Sequence, residues 1–325
     1  MGNGMGAALV VGATGDVGKA IALALAATGR PLALVGRDAT RLDAVAAACR
    51  AARGGGDGAA RGGGDGAARG AATDGGATDA ASSTALVATV VADLRDPAAP
   101  LAAVEAARAA VGPIDVLVNA AGIFGPLAPL AEADPEAWAQ TLQVNALAPY
   151  RFARALVPDM VHRRHGRVIN VSSLAALSVP TALNSAYATS KVALNAWTSV
   201  LALELAGTGV TANAIHPGDL KSRMWEEIRA AAEPPSGIRV TPDVTSTSGV
   251  TRMPDGGGVA ADGYAAWARA VGDTGGDDPA AAGRFVARLV DDPGGPTGQL
   301  FLLGAQAQDF ASSTSFCLTP TVIAG

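Results

Sequence analysis

The strongest constraint on the fold is a strand, a glycine-rich turn and a helix that follow one another near the start of the chain. Residues Ala7–Val11 form an apolar run, Gly12–Gly18 places glycines three positions apart, and Lys19–Thr28 is rich in alanine and leucine. A short apolar run predicts a buried strand, and glycines between a strand and a helix predict a tight turn. The second apolar run, Pro31–Gly36, completes a β-α-β unit.

The alternation of strand and helix patterns continues along the chain. Asp38 or Thr40 can cap a helix that runs to about Arg53. Further strand candidates, separated by helical patterns, are Leu86–Ala92, Ile114–Val118 and Arg167–Val171. Strands that alternate with helices form a parallel sheet covered on both faces. The sequence therefore predicts an α/β fold with a doubly wound parallel sheet of the Rossmann type, in a single domain over residues 1–325.

Two regions interrupt this pattern. Residues 54–61 and 62–69 repeat the same octapeptide, and the chain stays rich in Gly, Ala, Asp and Thr up to Ser83. A repeat without large apolar side chains cannot build a core, so we expect a flexible insertion at about 54–83. Residues 221–278 contain many Gly, Pro, Ser, Thr and Asp residues but also large apolar side chains, which predicts a partly ordered lid over a substrate.

Composition excludes several classes of protein. Of the 325 residues 49% are hydrophobic, which is enough for a sizeable core and excludes wholesale disorder. The net charge of −5, without a long Lys/Arg block, argues against nucleic-acid or anionic-membrane binding and favours a small-molecule partner. The apolar runs are too short to span a bilayer. Cys49 and Cys317 form no C-x-x-C pair, so we expect a cytoplasmic location.

The ends of the predicted strands carry residues suited to binding a dinucleotide. Small residues in the glycine turn let backbone N–H groups and the next helix N-terminus approach a pyrophosphate. Asp93 follows the third strand, where a carboxylate can accept a hydrogen bond from an adenine amino group. The predicted cofactor residues here are Gly12, Thr14, Gly15, Val17, Gly18, Asp93, Leu94, Asn119, Ala120 and Gly122. The competing interpretations are an ordinary tight turn for the glycines, a helix cap for Asp93 and a strand-end turn for Asn119.

The residue after the second strand bears on the choice of cofactor. An acidic side chain there would bind the ribose hydroxyls of NAD, but this chain has Arg37, which favours the 2′-phosphate of NADP. Asp38 can still turn towards a ribose, and Arg37 can be a solvated charge. We therefore expect NADP(H) rather than NAD(H).

The strongest catalytic signal is Tyr187 followed four residues later by Lys191 in a helical pattern, preceded by Ser173 at the end of the fifth strand candidate. Residues four apart share one helix face. An ammonium group beside a phenol lowers the pKa of the phenol, which makes Tyr187 a usable acid or base. Ser173 can donate to a substrate oxygen that gains charge during hydride transfer.

With these motifs in order, the chain resembles the short-chain dehydrogenase/reductase family from Ala7 to about Met224, with a weaker match at Pro296–Phe301. The resemblance implies that Tyr187 is the acid/base, that Lys191 holds the nicotinamide ribose, and that Ser173 orients the carbonyl or alcohol. It also implies a water-holding role for Asn145 and nicotinamide contacts for a last group of residues, Pro217, Gly218, Leu220 and Ser222. No metal is expected, since His162-x-x-His165 lacks further ligands at a suitable spacing.

Some features leave alternatives open. The G-x-x-G-x-x-G spacing, with Gly15 and Asp16, is similar to that of the extended branch of the family. The Asn119-Ala-Ala-Gly122 motif together with Pro217-Gly218 resembles the classical branch, which is the one we expect. An extended-branch epimerase or dehydratase with bound NAD, and a non-catalytic NADP sensor, are the alternatives to a ketone reductase. A homo-oligomer, dimer or tetramer, is expected. An apolar or ring-containing carbonyl or alcohol substrate is suggested by several side chains of the predicted lid, although ordinary packing would also explain them: Met224, Trp225, Met253, Tyr264 and Trp267.

Overall fold

The computed structural model describes residues 5–54, 87–177, 183–232, 261–304 and 319–322. Its strands, β1 to β8 in chain order, are Ala7–Val11, Leu32–Gly36, Val87–Val91, Ile114–Asn119, Gly166–Val171, Val210–His216, Gln299–Leu302 and Thr319–Val322. They form one sheet in the order β3-β2-β1-β4-β5-β6-β7-β8. Every neighbouring pair is parallel.

The helices, α1 to α9 in chain order, are Asp16–Ala27, Ala39–Gly54, Ala99–Val111, Pro135–Leu142, Ala148–His162, Ser185–Glu204, Arg223–Ala232, Ala261–Thr274 and Pro279–Asp291. A π-helical turn, Gln143–Leu147, joins α4 to α5. A short 3-10 turn, Leu174–Ala176, follows β5. Two parallel strands cannot be joined by a tight turn, because the chain must return to the starting edge of the sheet; the connection is therefore usually a helix.

Two hydrophobic cores lie on opposite faces of the sheet. One packs α1, α2 and α9 through side chains such as Leu25 and Val286. The other packs α3 and α5 through side chains such as Val104 and Phe152. Successive side chains of β1 alternate between these cores, because side chains along a strand point to opposite faces. The predicted doubly wound sheet is therefore confirmed.

The strand order reverses between β1 and β4, and a crevice opens at their carboxyl ends. Ligands bind at such switch points in open α/β sheets. Within the described ranges, no helix is both long and apolar enough to cross a membrane. Of the predicted insertion at 54–83, only Gly54 is described, and residues 233–260 of the predicted lid, Met253 among them, lie outside the described residues.

Candidate active site

A cavity of about 530 Å³ opens at the carboxyl ends of the strands. It is bounded by the loops after β1, β2, β4, β5 and β6 and by α6, α7 and α8. The predicted residues that line it are Gly15, Val17, Gly18, Arg37, Ala120, Gly122, Ser173, Tyr187, Lys191, Pro217, Gly218, Leu220 and Ser222. The predicted residues outside its lining are Gly12, Thr14, Asp93, Leu94, Asn119 and Asn145.

The three glycines of the first turn serve different purposes. Gly12 has φ +82°, and a Cβ on it would collide with the backbone of Ala121. A Cβ on Gly18 would collide with the carbonyl oxygen of Gly12. A Cβ on Gly15 would meet only that same oxygen, at 3.5 Å, and Gly15 lines the cavity directly before α1. Gly12 and Gly18 thus close the turn sterically, whereas Gly15 keeps it open towards a ligand.

Charged groups from the end of β2 and the start of α2 lie beside the glycine turn. Exposed Arg37 lines the cavity, and the carboxylate of Asp38 accepts from the Arg41 backbone N–H at 3.0 Å, which caps α2. The Arg41 guanidinium donates to the Thr14 carbonyl at 2.7 Å. Sequence reasoning missed Arg41, although its place in the first turn of the helix that follows Arg37 was a usable signal.

Asp93 is engaged by a protein side chain. Its carboxylate accepts from Arg95 Nε at 2.9 Å, and this hydrogen bond, aided by the charge of Arg37, holds the pKa of Asp93 below its usual range. Leu94 is buried in the core of α3 and α5. Neither residue lines the cavity. The guanidinium groups of Arg37, Arg41 and Arg95 lie near the glycine turn and the carboxyl end of β3.

Tyr187 and Lys191 lie one turn apart on α6 and both line the cavity. Lys191 Nζ is 5.7 Å from the centre of the Tyr187 ring and donates to the Val171 carbonyl at 2.8 Å. Burial lowers the pKa of Lys191 to about 8. The Tyr187 ring stacks on Phe124, with ring centres 4.8 Å apart. Val171 thus holds the Lys191 ammonium group, and Phe124 holds the Tyr187 ring.

Ser173 and Asn145 occupy the neighbouring elements. Ser173 Oγ accepts from the Ala175 N–H at 3.2 Å, which starts the 3-10 turn and leaves the hydroxyl proton available to the cavity. Asn145, on the π-helical turn, is fully buried; its Oδ1 accepts from Ile123 N–H at 2.9 Å and its Nδ2 donates to Ile123 O and Ser190 Oγ. Asn145 therefore fixes the loop after β4 rather than lining the cavity.

Asn119 also acts within the protein. Its Nδ2 donates to Asn170 Oδ1 at 2.8 Å, and Asn170 donates in turn to Thr198 Oγ1 at 2.8 Å. This buried chain links β4, β5 and α6. Gly122, further along the same loop, lies close to the catalytic elements: a Cβ there would be 3.5 Å from Asn145 Oδ1 and 3.7 Å from Lys191 Nζ.

The α7–α8 pair covers one side of the cavity. Met224, Trp225 and Trp267 line it, and the Trp225 indole donates to the Ala268 carbonyl at 3.0 Å, which joins α7 to α8. Trp225, Ala268 and Val271 form a small core of their own. Tyr264 belongs to α8. Most of the described part of the predicted lid is thus helical, in α7 and α8.

His216, the last residue of β6, and Asp219, three residues later, line the cavity although neither was proposed as a site residue. His216 is buried, and burial lowers its pKa to about 4 against the opposing effect of Asp277. Burial is also the main reason that the pKa of Asp219 is raised. Their position directly beside Pro217-Gly218 was the available signal in the sequence.

Comparison with known proteins decides the family. The sequence profile described as short chain dehydrogenase matches residues 67–233, which is more than half of the chain. The chain belongs to the short-chain dehydrogenase family. This assignment confirms the resemblance drawn from the motifs.

Individual members of the short-chain dehydrogenase family give the range of similarity. A short-chain dehydrogenase of Pseudocercospora fijiensis is 33% identical over 219 residues, which cover 67% of this chain and 60% of the relative. A crystal structure of a metagenomic short-chain oxidoreductase in complex with NADP is 31% identical, with TM-score 0.53, over 66% of this chain and 82% of that one. NAD+-bound xylitol dehydrogenase is 27% identical, with TM-score 0.57, over 71% and 76%.

The match to curated members of the short-chain dehydrogenase family is partial. The chain spans 60% to 63% of the length of the curated relatives that it matches first. Among the described residues, no group of three or more His, Cys, Asp or Glu side chains is arranged to hold a metal ion.

Proposed function

We propose that this chain is an NADPH-dependent reductase that transfers hydride to a carbonyl carbon, with Tyr187 as the acid. The observation that carries this proposal is the buried Lys191 ammonium 5.7 Å from the Tyr187 ring, inside a cavity that also contains Ser173 and the glycine turn. Those groups are the ones that a carbonyl reduction requires: a proton donor, a hydrogen-bond donor to the oxygen, and a dinucleotide site.

The residues present fit a nicotinamide dinucleotide. Gly15 leaves the backbone before α1 uncovered, and a helix N-terminus with free N–H groups favours a pyrophosphate. Arg37 and Arg41 favour the extra phosphate of NADP, and the Asp38 carboxylate beside them accepts from the Arg41 N–H as the cap of α2. Family members bound to NADP and to NAD+ both resemble this chain, so the preference rests on its own arginines.

The chain's own groups handle the proton. The bound nicotinamide supplies the hydride that adds to the carbonyl carbon. Tyr187 gives its phenolic proton to the carbonyl oxygen, while Ser173 donates a hydrogen bond to the same oxygen and stabilises its developing charge. The Lys191 ammonium, held by Val171, favours the phenolate that remains. We propose that Asn145, beside Gly122 and Ser190, supports proton resupply through water.

The substrate side of the cavity is apolar. Phe124, Trp225, Ile228 and Trp267 line it together with Met224. Flat and adaptable side chains of this kind suit an apolar or ring-containing ketone or the corresponding alcohol. The region 221–278 acts in this proposal as a substrate lid on a single dinucleotide-binding domain.

A homo-oligomer, dimer or tetramer, is part of the proposal. The outer faces of α5 and α6 leave Tyr150, Val200 and Leu203 exposed, with Leu203 at 76%, and Tyr150 lies edge-on to Trp197. Adjacent exposed apolar side chains on two helices are typical of a protein interface. We further propose a cytoplasmic location, with neither nucleic acid nor membrane as a partner.

One experiment separates this function from its rivals. Purified protein is mixed with NADPH or NADH and a panel of ketones, aldehydes and quinones, and cofactor absorbance is followed. We expect steady NADPH consumption with at least one ring-containing ketone. An epimerase or dehydratase, which the Gly15-Asp16 spacing favours, would carry bound NAD and consume none, and a sensor would bind NADPH without turnover; either result would refute the reductase.

A further inference from the structure

Asp277, in the segment between α8 and α9, exchanges two hydrogen bonds with the segment that follows β6. Its backbone N–H donates to the Asp219 carbonyl at 2.8 Å, and its Oδ2 accepts from the Asp219 backbone N–H at 2.7 Å. Leu220, which follows Asp219, and Gly276, which precedes Asp277, form an isolated antiparallel bridge. The two segments are therefore joined through both backbone and side chain.

Two glycines make room for the Asp277 carboxylate. Gly218 follows β6 with φ +98°, and Gly304 follows β7 with φ +101°. A Cβ on Gly218 would lie 2.6 Å from Asp277 Oδ2, and a Cβ on Gly304 would collide with the same oxygen. The carboxylate thus fills a space bounded by the ends of two neighbouring strands, and both glycines are needed for it to fit.

Residues that surround Asp277 line the cavity, although Asp277 itself lies outside the cavity lining. His216, Gly218 and Asp219 all line the cavity. The Asp219 carboxylate also interacts with Trp267 of α8, which lines the cavity from the other side. A displacement of Asp277 would therefore shift the cavity-lining residues Gly218 and Asp219, and through Trp267 it would also affect helix α8.

We infer that Asp277 is a positioning residue, whose carboxylate holds the Gly218-Asp219 backbone and, through it, the α7–α8 pair in the geometry that binds substrate. This inference rests on the proposed reductase function. The effect should fall on substrate binding more than on the proton-transfer groups, because Tyr187 and Lys191 belong to α6.

The test compares Asp277→Ala and Asp277→Asn with a matched control, Asp278→Ala. Asp278 is the adjacent carboxylate, but it caps α9 by accepting from Ala280 N–H at 2.8 Å and pairs with Arg284. Among the described residues, neither its hydrogen bonds nor its ion pair reach the segment after β6. Each variant is measured for KM and kcat with a ketone, for thermal unfolding, and for hydrogen exchange of the peptide 217–222. Exchange needs no turnover.

For Asp277→Ala we expect a KM for the ketone raised about tenfold or more, kcat changed less than threefold, and faster exchange in 217–222. Asp277→Asn, which keeps an acceptor oxygen, should restore most of the KM and the slow exchange. Gly304→Ala should resemble Asp277→Ala, because it displaces the same carboxylate. Asp278→Ala should lower the melting temperature without changing KM or that exchange.

The inference is overturned if Asp277→Ala and Asp278→Ala have the same KM and the same exchange in 217–222, since Asp277 would then be only a structural residue. A wild-type protein that shows slow exchange there, released by Asp277→Ala, but no turnover would overturn the proposed function and leave the contact itself demonstrated. The two failures are thus distinguishable. If Asp277→Ala does not fold, Gly304→Ala, which displaces the same carboxylate, takes its place in the comparison with Asp278→Ala.

Discussion

Lys191 Nζ lies 5.7 Å from the centre of the Tyr187 ring while it donates to the Val171 carbonyl at the end of β5. The sheet thus fixes the ammonium, and the ammonium lies beside the phenol. Because Tyr187 also stacks on Phe124, removal of its hydroxyl alone should leave the ring in place.

The first prediction concerns that hydroxyl. Tyr187→Phe keeps the stacked ring but removes the proton donor, so turnover of a ketone with NADPH should fall about 10²-fold or more, with NADPH affinity unchanged. Steady-state kinetics and a fluorescence titration with NADPH measure the two quantities. Unchanged turnover would refute Tyr187 as the acid.

The second prediction is a pH dependence. Burial lowers the pKa of Lys191 to about 8, so its positive charge is complete well below pH 8 and is lost as the pH rises through that value. Turnover that depends on this charge should decline on the alkaline side. Lys191→Arg keeps a charge at every pH tested, so its lower activity should lack that decline. Parallel profiles for both proteins between pH 6 and 9.5 would contradict the assignment.

The third prediction separates Arg37 from Asp38. Arg37→Ala should raise the KM for NADPH about tenfold or more and leave the KM for NADH nearly unchanged, because only NADPH carries the extra phosphate. Asp38→Ala removes a helix cap, so it should lower the free energy of unfolding by about 1 kcal/mol without raising the KM for NADH. A large rise in the KM for NADH on Asp38→Ala would show instead that Asp38 binds the ribose.

The fourth prediction contrasts two glycines of one turn. Gly12 has φ +82°, and the methyl group of Gly12→Ala would collide with the Ala121 backbone. This substitution should lower the free energy of unfolding by about 2 kcal/mol or more. Gly15→Ala has the space for its methyl group, so its stability should fall by less than about 1 kcal/mol while NADPH binding weakens. Thermal denaturation with and without NADPH distinguishes the two. Equal losses of stability would contradict the division of roles.

The fifth prediction concerns Asp16, which lines the cavity in the first turn of α1. A carboxylate near a bound pyrophosphate opposes it, so Asp16→Ser should tighten NADPH binding several-fold, and the gain should shrink at high salt. Calorimetry at low and at high salt checks both points. Weaker binding in Asp16→Ser would mean that the carboxylate points away from the phosphates and supports the turn instead.

The first four strands were predictable because each is a short, mostly apolar run that ends in glycine, a charge or a polar cluster, and β5 was predicted although Arg167 and Asn170 interrupt it. Strand β6, interrupted in the same way by Thr211 and Asn213, was not predicted. Asn213 is tolerated there because its Oδ1 accepts from Gln299 N–H and its Nδ2 donates to Pro296 O, contacts that depend on distant parts of the chain.

Prediction of the site followed the same division. Motif residues on regular elements, such as Tyr187 and Lys191 on one helix face, could be placed from their spacing. The hydrogen bonds of Asn145 to Ile123 and Ser190, and the proximity of Asp277 to Gly218, depend on how separate segments pack. Spacing along the chain carries no information about such contacts.

The two-sided burial of β1 has a consequence for how its alignment in the sheet is chosen. Both faces of the strand are apolar, so a shift by one residue would exchange Leu9 for Val10 or Ala8 without exposing any polar group. Polarity therefore cannot select the correct pairing, and side-chain volume must do so. Gly12 directly follows the strand and packs against the Ala121 backbone, so the first glycine of the turn also limits how far β1 can shift along its neighbours.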